Sequence, residues 1–171
     1  MNNTRKMTMA ALFMALGLVL PFFTGQISEI GSMLLPMHIP VPLCGFFCGW
    51  EHGLTVGFIV PIFRSVLFGR PYMMPTAVAM AFELAAYGAV AGFLYQKLKA
   101  KKGGIFISLF GAMIAGRALW GIVSIALFKM VGSAFSWELF AAGAFLEAIP
   151  GIVVQLLLIP TIVSRLKVVE G

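Results

Sequence analysis

Apolar runs fill almost the whole of this 171-residue chain, and the longest polar stretch is the lysine-rich segment 96–102. Hydrophobic residues make up 61% of the chain and charged residues 11%, whereas a soluble domain has about 45–50% and about 25%, respectively. This balance excludes a soluble globular domain, a disordered tail and a nucleic-acid-binding domain. The sequence therefore predicts an all-α integral membrane protein with one membrane domain over residues 1–171.

Six apolar segments are separated by glycine, proline and charged residues. A helix needs about 20 residues to cross a bilayer core of roughly 30 Å. We predict a six-transmembrane-helix bundle with an outer loop at 24–36 and spans at residues 7–23, 37–50, 53–68, 75–95, 104–128 and 137–163. Segment 37–50 is short and contains Pro40 and Pro42, so a re-entrant hairpin or a short buried helix remains an alternative there.

The distribution of positive charge predicts the orientation of these spans. With six crossings, the N-terminal basic residues, the lysine-rich segment and the C-terminal tail fall on one side, which then carries eight cations. Arg70 and Lys129 are the basic residues near the other side. Because positive residues accumulate in cytoplasmic loops, we expect both the N- and C-termini in the cytoplasm. The lysines then act as a topology signal rather than as an RNA-binding patch.

Four charged residues are expected well inside the bilayer: Arg64, Glu83, Arg117 and Glu147. Charge in the bilayer interior is costly, so each residue is a candidate functional site. A rise of about 1.5 Å per residue places all four in the outer half or near the midplane. They could neutralise one another, for example Arg64 with Glu83 and Arg117 with Glu147, or line a polar ligand pocket. The sequence leaves both alternatives open.

Aromatic residues occur at positions compatible with such a pocket, namely Tyr87, Trp120 and Phe140. Below Tyr87 the fourth segment is apolar as far as Tyr95, and Gln155 is the one deeper polar exception. A polar region that stops near the midplane favours a one-sided binding site over a continuous pore. The competing interpretations are a stand-alone channel or carrier for small solutes and a non-transport membrane assembly protein.

Catalytic and metal chemistry find little support in the sequence. Two cysteines and two histidines, Cys44, Cys48, His38 and His52, are residue types that a soft metal could use. Glycines interleave with them, and free cysteine usually behaves as a small hydrophobic residue, so we predict no metal site. A glycine-rich phosphate loop followed by Lys-Ser/Thr is absent from the sequence. We therefore expect neither an enzyme nor a cofactor, and ATP hydrolysis would belong to a partner.

Small residues recur at helical spacing in two places, where they predict close contact between helices. One series is Gly45, Gly49, Gly53 and Gly57, and the other is the Ala-x-x-x-Ala pair of Ala11 and Ala15. An alanine face of this kind on the first of six spans resembles the S component, the substrate-binding membrane subunit, of energy-coupling factor (ECF) transporters. The segments 35–45 (LPMHIPVPLCG) and 75–84 (PTAVAMAFEL) also resemble helix starts in one branch of that family.

The resemblance implies partners for the alanine face. In the family this face docks on the transmembrane T component, which two cytoplasmic ATPases drive. Carried over to this chain, Ala11 and Ala15 would be the docking residues. The alternative is that these two alanines pack within the bundle itself.

The expected location is the prokaryotic plasma membrane.

The resemblance also implies a ligand site near the extracellular side, between the last three helices and the outer loops. Loop 24–36 would then be the lid, with Gln26, Ser28, Glu29 and Ser32 as its polar residues. The substrate-binding residues expected from the buried charges and aromatic positions above are Arg64, Glu83, Tyr87, Arg117, Trp120, Phe140 and Glu147. The ligand would be a water-soluble vitamin or similar micronutrient, with pantothenate as the first guess and folate, pyridoxine or a pyrimidine next.

Overall fold

The computed structural model describes residues 2–23, 36–101, 103–130 and 149–170, and every regular element in these ranges is helical. Six α-helices are present in the described ranges: α1 (Asn3–Phe23), α2 (Pro40–Cys48), α3 (Trp50–Phe68), α4 (Val78–Leu98), α5 (Gly104–Met130) and α6 (Ile149–Glu170). A 3₁₀ turn, Pro36–His38, precedes α2, and a π-helical turn, Met73–Ala77, precedes α4. The predicted all-α class is confirmed.

Within the described residues, four stretches are long and apolar enough to cross a membrane, judged by length and composition: Asn3–Phe23, Trp50–Phe68, Met73–Leu98 and Gly104–Met130. Two shorter apolar helices, Pro36–Cys48 and Ile149–Arg165, complete the described bundle. Residues 24–35 of the expected lid loop and residues 137–148 of the sixth predicted span lie outside the described residues.

Helices α2 and α3 are separate elements because the chain reverses at Gly49. This residue has φ 100° and ψ 168°, a conformation that suits glycine because it has no Cβ. A Cβ placed on Gly53 would lie 2.9 Å from the Cα atom of Gly45. In one continuous helix, these two residues would instead be about 12 Å apart. Glu51 and His52, which separate the predicted spans 37–50 and 53–68, lie in the first turn of α3.

Glycine-to-backbone contacts hold α2, α3 and α4 together. A Cβ on Gly88 of α4 would collide with the backbone of Gly53 on α3, and a Cβ on Gly57 would collide with the backbone of Leu84. Gly45 of α2 meets the same Gly88 carbonyl. Lipid tails provide no hydrophobic drive for helix association, so this close packing stabilises the bundle through van der Waals contact. The close packing predicted from the glycine spacing is confirmed.

The packing also fixes the relative directions of the helices. Leu18 and Phe22 of α1 contact Arg64 and Phe68 of α3, respectively, so α1 and α3 run in the same direction. The glycine contacts make α4 antiparallel to α3. The basic N-terminal residues of α1 and the lysine-rich turn after α4 therefore lie at the same end of the bundle.

Candidate functional site

Glu83 is the central acidic residue of the bundle interior. It lies on α4 with 2% of its side chain exposed. The Nη1 atom of Arg117, on the antiparallel helix α5, lies 3.2 Å from its Oε1 atom, and the Arg117 side chain is 12% exposed. Two opposite charges this close attract each other more strongly in a low-dielectric interior than in water. The structure therefore joins α4 and α5 through a buried ion pair.

His38 is the second basic residue beside Glu83. Its Nε2 atom lies 3.5 Å from Glu83 Oε1, and its side chain is 1% exposed. His38 ends the 3₁₀ turn just before α2, which brings the ring to the depth of Glu83. From the sequence, His38 was considered only as a metal ligand, and its contact with Glu83 was not predicted. The signal that could have indicated a buried polar site is His38 itself, an isolated ionisable side chain within the apolar segment 35–45.

Tyr87 completes what we call the buried polar cluster, defined as His38, Glu83, Tyr87 and Arg117. It lies one turn after Glu83 on α4 and is fully buried. Its ring meets the His38 ring edge-on, with 5.5 Å between centroids. Gly116 of α5 packs directly on the Tyr87 ring, where a Cβ would collide with it. The lack of a side chain at Gly116 thus makes room for the tyrosine next to Arg117.

Several polar atoms of the cluster have no hydrogen-bond partner within the described part of the chain. They are Nε and Nη2 of Arg117, both ring nitrogens of His38, Oε1 of Glu83 and the hydroxyl of Tyr87. Buried polar atoms in proteins are usually hydrogen-bonded, and leaving one unpaired costs about 1–3 kcal/mol. An accumulation of such atoms around one ion pair marks a place where a polar ligand would gain hydrogen bonds.

The cluster lies halfway along its longest helix. Arg117 is 13 residues from each end of α5, Gly104 and Met130, which corresponds to about 20 Å in either direction. Helix α2 begins at Pro40, two residues after His38, with Ile39 at its N-cap position. The positive end of the α2 dipole therefore lies beside the cluster. Two basic side chains and this helix end surround a single described carboxylate.

The pairing of Arg64 with Glu83 considered in the sequence analysis is wrong. Nη1 of Arg64 donates a hydrogen bond to the carbonyl oxygen of Leu18 at 2.7 Å. Its guanidinium lies 5.1 Å from the ring centroid of Phe22 and 5.5 Å from that of Phe68. These contacts join the ends of α1 and α3, and they arise because the two helices run side by side in the same direction. Arg117 is the arginine beside Glu83.

Of the remaining expected substrate-binding residues, the structure describes Trp120 but not Phe140 or Glu147. Trp120 lies on α5, about one turn beyond Arg117, and is half-buried. Phe140 and Glu147 lie outside the described residues, as do the lid residues Gln26, Ser28, Glu29 and Ser32 and the alternative pairing of Arg117 with Glu147.

Gln155 adds a buried polar group on α6. Its side chain is fully buried, and neither its amide oxygen nor its amide nitrogen has a hydrogen-bond partner within the described residues. Each of the last three described helices therefore contributes a polar side chain with buried atoms that have no hydrogen-bond partner among the described residues: Glu83 and Tyr87 on α4, Arg117 on α5 and Gln155 on α6.

The residue types considered for a metal site do not come together. His38 contacts Glu83, whereas Cys44 and Cys48 are free thiols buried in the apolar core. Across the described ranges, no three histidine, cysteine, aspartate or glutamate residues are grouped to hold an ion.

A groove between α1 and α3 forms a second feature, away from the buried polar cluster. Its volume is about 600 Å³, and Ala11 and Ala15 line it from α1. Both alanines are exposed. Glu51 and His52 line the groove near its end at the start of α3. The exposure of the two alanines leaves their faces open to a partner helix.

The comparisons with known proteins agree with the membrane architecture. A sequence model of the family described as "ECF transporter, substrate-specific component" matches residues 5–163. No curated protein and no solved structure matches the chain.

Proposed function

Since the chain belongs to the family of ECF transporter substrate-specific components, we propose that it captures a water-soluble vitamin or similar micronutrient at the outer side of a prokaryotic plasma membrane. Membership makes it a substrate-binding subunit of a multi-pass membrane transporter, which works with a T component and ATPase components. The family consists of transport subunits rather than enzymes. ATP hydrolysis accordingly falls to the partner ATPases.

The observation that carries the proposal is the buried polar cluster in an otherwise apolar bundle. An ion pair in a membrane interior is costly to build, and such residues usually line a substrate path or a water-filled cavity. The unsatisfied atoms of Arg117, His38 and Tyr87 supply the few convergent polar groups typical of small-ligand sites. We propose these residues and Glu83 as the base of the substrate site.

The rest of the proposed site comes from the last three helices and the first outer loop. Trp120 and Gln155 are candidates from α5 and α6, and Phe140 and Glu147 complete the proposed wall. Loop 24–36, with Gln26, Ser28, Glu29 and Ser32, is the proposed lid. Arg64 is not included, since its contacts are with Leu18 and two phenylalanine rings.

We propose six spans with both termini in the cytoplasm. The basic N-terminus and the lysine-rich turn after α4 lie at one end of the bundle, and cytoplasmic ends of membrane proteins are enriched in lysine and arginine. The opposite end, where α3 leads into the turn before α4, would then face the outside. The buried polar cluster would be reached from that side.

Docking on the T component is proposed to use Ala11 and Ala15. Small exposed residues let another helix approach closely, which is how helices associate in a bilayer. The groove between α1 and α3 extends this surface. The interpretation of the two alanines as intramolecular packing residues is less favoured because both are exposed.

Reconstituted transport tests the function. The chain, co-expressed with a T component and two ATPases, would be placed in liposomes and offered labelled pantothenate, folate, pyridoxine and hydroxymethylpyrimidine in turn. We expect uptake of one of them that requires both the ATPase module and ATP. Solute flux through the chain without the module would instead indicate a channel or carrier.

A further inference from the structure

Within the described ranges, Arg117 uses one of its guanidinium nitrogens for Glu83, and one edge of the guanidinium has no partner. Nη1 makes the contact with Glu83 at 3.2 Å. Nε and Nη2 are both fully enclosed and have no hydrogen-bond partner among the described residues. These two nitrogens form the side edge of the guanidinium, and their parallel N–H groups match the two oxygens of a carboxylate. In the described part of the chain, this edge therefore presents two donors that a planar pair of acceptors would satisfy.

The charges around this edge favour a negative ligand. Arg117 and His38 both contact the same oxygen of Glu83, so the described cluster has two basic side chains and one carboxylate. A cationic ligand would have to compete with both basic residues for Glu83. The positive end of the α2 dipole adds to the preference for an anion.

We propose that the ligand carries a carboxylate, which binds with both oxygens to the Nε/Nη2 edge of Arg117, with His38 as the second basic group. The inference rests on the proposed function and specifies the ligand class of that site. It selects pantothenate and folate, which have a carboxylate, over pyridoxine and hydroxymethylpyrimidine, which have none.

The test compares a carboxylate ligand with an uncharged partner of the same shape. Thermal shift of the purified full chain in detergent first shows which of the four compounds binds. Calorimetry then measures the Kd of pantothenate against panthenol, in which an alcohol replaces the carboxylate, or of folate against its diamide if folate binds. We expect the uncharged partner to bind about 10- to 100-fold more weakly.

Arg117→Lys distinguishes the effect of the positive charge from that of the two-nitrogen guanidinium edge. Lysine keeps a positive charge beside Glu83 but lacks the two-nitrogen edge. We expect this variant to bind the carboxylate ligand about 10- to 100-fold more weakly and the uncharged partner with unchanged Kd. His38→Gln should also weaken only the carboxylate ligand. Ser108→Ala, whose hydroxyl bonds its own helix, should leave both Kd values as in the wild type.

The outcomes distinguish the two proposals. Equal weakening of both ligands in Arg117→Lys would indicate a structural role for Arg117 and overturn the carboxylate inference. Binding of pyridoxine or hydroxymethylpyrimidine alone would also overturn it, while the proposed function would stand. If none of the four compounds bound and the reconstituted complex took up none of them, both proposals would fail.

Discussion

Arg117 on α5 and Glu83 on α4 form an ion pair, with Nη1 and Oε1 3.2 Å apart, at the middle of the long helix α5. His38 reaches the same Glu83 oxygen from the turn before α2, so three separate segments meet at one carboxylate. A charged centre of this kind costs free energy unless it is paired or serves a ligand. Among the described residues, the carboxylate is paired, whereas Nε and Nη2 of the arginine have no hydrogen-bond partner.

Glu83→Gln should destabilise the protein, because it leaves the Arg117 guanidinium buried without its counter-ion. We expect the free energy of unfolding to fall by about 3 kcal/mol, the cost typical of breaking a buried pair from one side. Thermal unfolding in detergent, followed by tryptophan fluorescence, measures this. Adding Arg117→Met to Glu83→Gln should recover part of the loss. A double variant less stable than Glu83→Gln alone would contradict the pairing.

Gly88→Ala should disrupt the contact between α3 and α4. The added methyl group would meet the backbone of Gly53, which cannot move without shifting a helix. We expect a loss of about 1–3 kcal/mol or more in the free energy of unfolding. Gly111→Ala is the matched control, because its methyl group would meet only the flexible end of the Leu94 side chain, at 2.7 Å. Similar losses in the two variants would contradict the proposed helix contact.

Arg64→Met should weaken the contact between α1 and α3. It removes the hydrogen bond to the Leu18 carbonyl and the contact with two aromatic rings. We expect a loss of about 1.5–3 kcal/mol in the free energy of unfolding, as for other hydrogen bonds to charged groups. Phe22→Leu keeps the hydrogen bond and should cost less. If Arg64→Met abolished ligand binding without any loss of stability, Arg64 would belong to the substrate site.

Ala11→Trp should prevent assembly with the T component. The bulky ring would fill the groove where Ala11 and Ala15 leave room for a partner helix. Co-purification of the tagged chain with the T and ATPase components measures assembly, and we expect the complex to be lost while ligand binding by the isolated chain persists. Leu12→Trp is the control, because Leu12 is 57% exposed and does not line the groove. Unaltered assembly of Ala11→Trp would reject the proposed docking face.

Labelling with a membrane-impermeant maleimide should reveal the orientation. In a Cys44→Ala/Cys48→Ala background, we expect Tyr72→Cys to be labelled on intact cells and Ala100→Cys only after permeabilisation. Both positions are exposed turn residues, at opposite ends of α4. The cysteine-free background should not react. The reverse pattern would place the lysine-rich end outside and contradict the proposed topology.

The depth of the site residues could be predicted from the sequence, but their partners could not. Residue spacing along a helix gives height in the membrane, and on that basis Arg64, Glu83, Arg117 and Glu147 were expected in the outer half or near the midplane. Spacing gives no information about how one helix is rotated against another. The choice between Arg64 and Arg117 as the partner of Glu83 therefore required the packed structure.

His38 illustrates the same limit. The sequence shows an isolated histidine in an apolar segment near two prolines. The four-residue spacing of Cys44, Cys48 and His52 suggested metal chemistry in the same region. The short turn Pro36–His38 and the reversal at Gly49 place His38 beside Glu83 and leave the cysteines in the apolar core. Neither the turn nor the reversal follows from residue spacing alone.

The amino-acid sequence by itself determined that this chain is an all-helical membrane protein with costly charges in its interior, since hydropathy and charge cost act on each residue separately. The tertiary structure decided which charges meet. Glycines at 53, 57, 88 and 116 let backbones and rings approach closely enough to set the rotation of α3, α4 and α5, and that rotation placed Arg117, rather than Arg64, at Glu83. The turn Pro36–His38 brought His38 to the same carboxylate. Contacts between distant segments depend on the fit of whole surfaces, which no local pattern encodes.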